Sequence, residues 1–267
     1  MTQIDYGEFE PSNAWLNNVP VLRNRLQEKG YLFFREVLDK SALLQIRRDI
    51  LETARGHGIV DEKADLMAGK FSGGEIPAYF RFETSKLYRE ILDIPSFNEF
   101  GQNPVLMLLY SGLLDAEILE HRRRIGRITF PQSFANTTPP HQDFFYIRGT
   151  LDTYTNWIPT GDCPRELGGL AILEGSNKLG FLDHVPMSGN GGNGVPFDVC
   201  DATGLRWLTT DFKLGDLLLF HSMTIHKALD NVTNDQLRVS LEYRLQRNGD
   251  AIDPSSMEYH MKGAFDE

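Results

Sequence analysis

From about residue 118 onward the chain breaks into short β-type runs divided by turn-forming residues, at 127–130, 143–147, 155–158, 170–173, 217–220 and 239–245. Strands this short and this numerous cannot each bury a face alone, and they pack best as a jelly roll of two facing sheets. The first 110 or so residues read differently. Apolar residues at helical spacing over 19–29 stop at Gly30, a residue suited to ending a helix. Residues 31–34 read as a short strand. Asp39 can cap a helix carrying Leu43, Leu44, Ile46, Ile50 and Leu51 as a stripe, which ends near Gly56-His57-Gly58. Two further helices are expected at 85–92 and 105–114. The Gly- and Pro-bearing stretch 68–84 reads as a loop, and the Gly/Asn-rich 188–194 as an insertion or lid. The expected class is therefore mainly β with α: one domain over 1–267, with a mostly helical part at 1–115, a jelly-roll core at 116–250 and a tail at 251–267.

Composition narrows the function. With 41% hydrophobic residues the chain can bury a sizeable core, and its net charge of −10 argues against a nucleic-acid surface. Cys163 and Cys200 are the only cysteines, which is neither a disulfide framework nor a zinc spacing. The polar, acidic N-terminus resembles no signal or transit peptide, and no apolar run approaches membrane-spanning length. A cytoplasmic protein acting on a small molecule is expected, without nucleic-acid or membrane partners.

The chemistry concentrates in His141-Gln142-Asp143. On an extended strand the side chains of residues 141 and 143 share a face and can hold one ion together. A later histidine completes three ligands, and two histidines with one carboxylate suit Fe(II) and O₂ chemistry. Two histidines compete for that third place, His221 and His226, five residues apart. Arg238, on the last expected core strand, can hold a carboxylate-bearing co-substrate through parallel hydrogen bonds, with Ser240 on the same face. A buried guanidinium otherwise lacks a reason to be there.

Three stretches resemble the phytanoyl-CoA dioxygenase-like family of Fe(II)/2-oxoglutarate-dependent oxygenases. They are Pro139-Pro140-His141-Gln142-Asp143, the run 167–178 around Gly168-Gly169-Leu170 and Gly175-Ser176, and the run 215–226 from Gly215-Asp216 to His226. The resemblance implies a double-stranded β-helix (jelly-roll, cupin-like) core buttressed by the N-terminal helices. It implies a metal set of His141, Asp143 and His226, leaving His221 as a core or supporting histidine. Arg238 would clamp 2-oxoglutarate, Trp157 would lie beside it, and Arg81 would reach the site. Tyr79, Phe80 and Phe82 would shape the substrate entrance, and the loops 68–84 and 180–203 would serve as lids. Glu174 and Asn177 depart from the family's proline and histidine, and Leu167 from its asparagine, so no particular substrate carries over.

The activity implied is O₂-dependent hydroxylation of a small metabolite or biosynthetic intermediate, with release of succinate and CO₂. Desaturation or ring formation begins with the same hydrogen abstraction. Halogenation is disfavoured because Asp143 fills the position a halide requires. The rival readings are a cupin-like metal hydrolase or isomerase, which has no need of Arg238, and a non-catalytic jelly-roll binder, which has no need of an intact triad. The basic run Arg122-Arg123-Arg124 reads as a solvated strand end or an anionic-substrate patch.

Overall fold

The structure, a computed structural model, describes residues 4–76 and 85–261. Among the described residues, five helices precede or flank the sheets: α1 (Val19–Lys29), α2 (Lys40–Gly56), α3 (Lys86–Leu92), α4 (Pro95–Phe100) and α5 (Pro104–Leu114). Their ends follow local chemistry. Asp39 accepts from the amides of Ser41 and Ala42 to start α2, and Ser85 accepts from the Tyr88 amide to start α3. Gly30 ends α1 in the left-handed region. The stripe of α2 is Leu43, Ile46, Ile50, Leu51 and Ala54, whereas Leu44 stands outside it and is exposed. Helix α4, which the sequence reading did not expect, is six residues long and starts on Pro95, too short to show a period.

The strands among the described residues, in chain order, are β1 (Tyr31–Phe34), β2 (Ile118–Glu120), β3 (Ile125–Thr129), β4 (Tyr154–Pro159), β5 (Leu170–Leu173), β6 (Val185–Pro186), β7 (Asn193–Gly194), β8 (Trp207–Leu208), β9 (Leu217–His221), β10 (His226–Ala228) and β11 (Arg238–Arg247). The larger sheet runs β1-β9-β4-β11, and the far edge of β11 is shared by β3 and β2 in succession. The smaller sheet runs β10-β5-β8, and all of these pairings are antiparallel.

Alternation along each strand decides the layers. In β1 and β9, Leu32, Phe34, Leu217 and Leu219 pack against the helices. Tyr31, Phe33, Leu218 and Phe220 turn the other way, where they meet Leu170, Ile172 and Leu208 of the smaller sheet. The two sheets therefore face each other across a shared apolar layer. Each large side chain placed there contributes roughly 1.5–3 kcal/mol. Along β11 the helix-facing residues are Val239, Leu241, Tyr243 and Leu245, which leaves Arg238, Ser240, Glu242 and Arg244 on the opposite face. The longest strand, paired with β4 on one edge and with β3 and β2 on the other, thus also lays four polar residues along its interior.

One expected strand is wrong. Residues 143–147 form a helical turn, α6 (Phe144–Ile147), and Asp143 has right-handed helical angles rather than extended ones. The expected loop 180–203 contains the β6–β7 hairpin and a short helix, α7 (Phe197–Ala202). Arg81, Tyr79, Phe80 and Phe82 lie outside the described residues, as does the whole 77–84 part of the other expected lid. Among the described residues, no helix is long and apolar enough to cross a membrane.

Candidate metal centre

His141 and His226 face each other across an antiparallel pair. The amide of each donates to the carbonyl of the other, at 2.9 and 3.0 Å, and their rings lie 4.1 Å apart. Pairing two short segments thus places two imidazoles side by side. Asp143 joins them by a different route from the one the sequence suggested. Its backbone turns into α6, so the carboxylate reaches the histidines from a helical turn and not from the same face of a strand. Asp143 Oδ1 lies 3.7 Å from His141 Nε2 and 3.8 Å from His226 Nε2. One ligand atom from each of the three residues falls within 4.8 Å of the others, and all three residues are buried.

The protonation pattern suits a cation. His141 Nδ1 lies 2.8 Å from the Pro139 carbonyl and His226 Nδ1 lies 3.0 Å from the Thr224 carbonyl. A carbonyl only accepts, so each Nδ1 carries the proton and each Nε2 presents a lone pair. Burial pushes His226 down to about 3, which keeps its ring neutral. Burial is the largest single effect on the Asp143 carboxyl and would raise it, but the Arg244 guanidinium and the two histidines together outweigh burial and hold it well below the usual carboxylate range. Arg244 reaches it with Nε at 3.3 Å from Oδ2 and Nη2 at 3.4 Å from Oδ1, and the Thr155 hydroxyl also donates to Oδ2. Two imidazoles that turn Nε2 inward beside an ionised carboxylate are what a divalent cation requires.

Arg238 lines the same cavity, 2% exposed, with its guanidinium carbon 5.6 Å from the Trp157 ring centre. It donates to the Gly168 carbonyl and, at 2.6 Å, to the Thr129 hydroxyl. Its Nε has no acceptor, and the buried Ser240 hydroxyl two residues on has no partner either, among the described residues. Burial pushes the Arg238 guanidinium down to about 10. An ionised group buried without a counter-charge costs several kcal/mol, and a ligand carboxylate relieves that cost. Gly168 helps set this end. Its φ of +77° suits glycine, and a Cβ there would sit 2.5 Å from the Leu229 carbonyl oxygen.

His221 does not join the centre. It ends β9 and lines a separate cavity with Asp152, Tyr154 and Asn177, 3.5 Å from Asp152 Oδ1. It is thus neither packed core nor a support for the triad. The two departures in the run after β5 also face away. Glu174 pairs with Lys29 at 3.1 Å, and Asn177 donates to the Gln27 carbonyl at 2.9 Å, tying that turn to α1.

Two residues of the centre escaped the sequence reading. Arg244 was legible in principle, because it continues the alternation of Arg238, Ser240 and Glu242. Gln142, between two ligands, is fully buried. It donates to the Gly180 and Met223 carbonyls and accepts from the Leu182 amide, each at 2.8 Å. No local pattern announces that role.

A carboxylate and two imidazoles opening onto a cavity form the donor arrangement of mononuclear non-haem iron enzymes. The chain belongs to the phytanoyl-CoA dioxygenase (PhyH) family, whose sequence model matches residues 26–240. It is similar to a 1-deoxypentalenic acid 11-beta-hydroxylase of Streptomyces arenae, 27% identical over 255 residues that cover 91% of this chain and 85% of that one. Among solved structures it resembles the non-haem alpha-ketoglutarate-dependent carbocyclase SnoK from nogalamycin biosynthesis. That match has a TM-score of 0.64 and 17% identity, and covers 92% of this chain and 90% of the other. It also resembles the epimerase SnoN in complex with Fe³⁺, alpha-ketoglutarate and nogalamycin RO, with a TM-score of 0.61 and 18% identity, covering 90% and 87%.

Proposed function

We propose that this chain is an Fe(II)/2-oxoglutarate-dependent oxygenase that hydroxylates a small biosynthetic intermediate, with release of succinate and CO₂. One observation carries the reading: the metal-ligating triad shares its cavity with Arg238, a buried guanidinium with no acidic partner among the described residues. A metal hydrolase or a binding scaffold has no use for that arginine. The hydroxylase name of the curated relative supports this reaction over ring closure or epimerisation, which the structural neighbours are named for.

In this reading His141, Asp143 and His226 hold Fe(II), while Arg238, Ser240 and Trp157 receive 2-oxoglutarate. When bound, iron and 2-oxoglutarate supply the oxidative chemistry: O₂ is consumed, the keto acid leaves as succinate and CO₂, and one oxygen atom reaches the substrate. The protein's part is positional. The carbonyls of Pro139 and Thr224 keep each Nε2 available, and Arg244 and Thr155 fix the carboxylate. The Trp157 ring walls the co-substrate end against water. We further infer that the two facing sheets form a double-stranded β-helix within one oxygenase domain. The facing apolar layer and the antiparallel order of the strands support this.

The test is anaerobic addition of Fe(II) and then 2-oxoglutarate, read as a visible metal-to-ligand absorption band. The band is expected in the wild type and weakened in Arg238→Ala and Asp143→Ala. Its absence from folded, metal-loaded protein would move the reading to another metalloenzyme class.

A further inference from the structure

The Gly/Asn-rich stretch 188–194 makes the turn and second strand of the β6–β7 hairpin, and that hairpin is fixed beside the metal centre. The Val195 amide donates to the carbonyl of Pro140, the residue before His141, at 2.7 Å. The Tyr146 hydroxyl donates to the Asn193 carbonyl at 2.7 Å. Ahead of the first arm, His184 Nε2 accepts from the Gln142 amide at 3.0 Å. Gly191 lets the tip come this close, since its φ is +88° and a Cβ there would sit 2.7 Å from the Tyr146 hydroxyl oxygen.

The tip reaches the cavity through Asn190 and Gly191, which line it together with the triad, Arg238 and Trp157. Of the two, only Asn190 carries a side chain. Its Oδ1 is buried, and no group among the described residues donates to it. A buried amide oxygen is stabilised by a donor and destabilised by staying without one.

Neither molecule that the oxygenase reading brings to this cavity supplies that donor. Fe(II) has its protein ligands in the triad. 2-Oxoglutarate, ionised at both carboxyls, offers acceptors only. The remaining occupant is the substrate. An ammonium group would seek a carboxylate, yet Asp143 and Glu242, the carboxylates of the wall among the described residues, both receive Arg244. A hydroxyl needs only the neutral amide. Ile125, Ile147, Leu170 and Ala228 line the same cavity, so the rest of the molecule meets apolar wall.

We infer that the substrate carries a hydroxyl on an apolar skeleton and that Asn190 selects it, Oδ1 accepting from that hydroxyl. This deepens the oxygenase reading and rests on it, because that reading assigns the metal and 2-oxoglutarate to the rest of the cavity. The test uses anaerobic protein loaded with Fe(II) and 2-oxoglutarate, with the absorption band confirming loading. Cyclohexanol, decalol and borneol, each beside its ketone, methyl ether and amine counterparts, are then titrated by ligand-observed NMR. The wild type is expected to favour the alcohols by about tenfold or more, because an analogue without the hydroxyl leaves the amide oxygen unpaired. Asn190→Leu should erase that preference and leave the band in place. It should not lower the urea-unfolding midpoint of ligand-free protein, since Oδ1 holds nothing in the fold. Asn190→Asp, which keeps an acceptor, should retain part of the preference. Equal binding of alcohols and ketones, as a site filled by water alone would give, would overturn the subsite. So would a preference for the amines, no alcohol binding at all, or an alcohol preference that survives Asn190→Leu or vanishes in Asn190→Asp. A lowered unfolding midpoint in Asn190→Leu would make Asn190 a structural residue and overturn it too. Each of these outcomes leaves the oxygenase reading intact, whereas loss of the band in the wild type would overturn both.

Discussion

Arg244 holds Asp143 through a two-pronged contact, Nε on one carboxylate oxygen and Nη2 on the other, at 3.3 and 3.4 Å. Both residues are buried, at 5% and 2% exposure, so solvent cannot replace either partner. Before any metal arrives, the arginine supplies the counter-charge that lets the carboxylate stay ionised. Removing it leaves a buried charge alone, which costs about 3–5 kcal/mol. Arg244→Leu is therefore expected to lower the stability of metal-free protein by that order in urea unfolding. It should also weaken divalent-metal binding by about 10–100-fold in a calorimetric titration. Unchanged metal affinity would mean that Asp143 needs no such support.

The triad should couple metal to stability. A ligand that binds only the folded state stabilises it by about 2.7 kcal/mol at a hundred times its dissociation constant. Mn(II), which resists oxidation, is expected to raise the melting temperature of the wild type. The rise should vanish in His226→Ala and persist in His221→Ala, because His221 lies in a different cavity.

Arg238→Leu is expected to separate stability from co-substrate binding. Deleting a buried charge that has no acidic partner among the described residues should leave the ligand-free protein as stable or more stable. The 2-oxoglutarate concentration needed for half of the absorption band should meanwhile rise by about a hundredfold. Metal affinity should not change, since Arg238 touches none of the three ligands. A large fall in melting temperature without added ligand would contradict this account.

Gly168 supports the same clamp through its carbonyl. Gly168→Ala combines a strained positive φ with a close approach to the Leu229 carbonyl. A loss of about 1–3 kcal/mol in chemical unfolding is expected, together with weaker 2-oxoglutarate binding.

Acid sensitivity should trace in part to His121. It is fully buried, and Nε2 donates to the Gln246 side-chain oxygen at 2.7 Å while Nδ1 has no partner among the described residues. Burial, aided by Arg244 and Arg123 against the pull of Gln246, pushes it from 6.5 down to about 4. Between those values the unfolded chain takes up a proton that the folded protein refuses. Stability therefore falls as pH drops from 6.5 towards 4, by about 3 kcal/mol for this one group, and the contribution is absent above 6.5. Urea unfolding of metal-free wild type and His121→Leu over that range should differ in slope by about one proton. Parallel slopes would show that His121 titrates normally.

Much of the frame was legible because it depends on near neighbours. Asp39 and Gly30 mark helix ends, and alternation in 31–34, 217–220 and 239–245 marks strands, since those signals act within a turn or two of chain. The same alternation put Arg238 and Ser240 on one face. His141, Asp143, His226 and Arg238 stood out because their residue types and order suit one chemistry. The local reading failed at 143–147, where aromatic and β-branched residues suggest a strand. There, hydrogen bonds from the Phe144 amide to Ser222 and from the Tyr146 amide to Asp143 hold a helical turn.

Residue types, their order and their short-range periods thus determined helices α1, α2, α3 and α5, the strands of four or more residues and the identity of the reactive groups. Three matters fell to tertiary structure: that Asp143 meets the histidines from a helical turn, that Arg244 is its partner 101 residues away, and that His221 is sent to another cavity. The reason is physical. Local backbone preference acts over a few residues, whereas the pairing of buried charges is settled only when distant strands close and exclude water, and the sequence carries no local mark of which charges will meet.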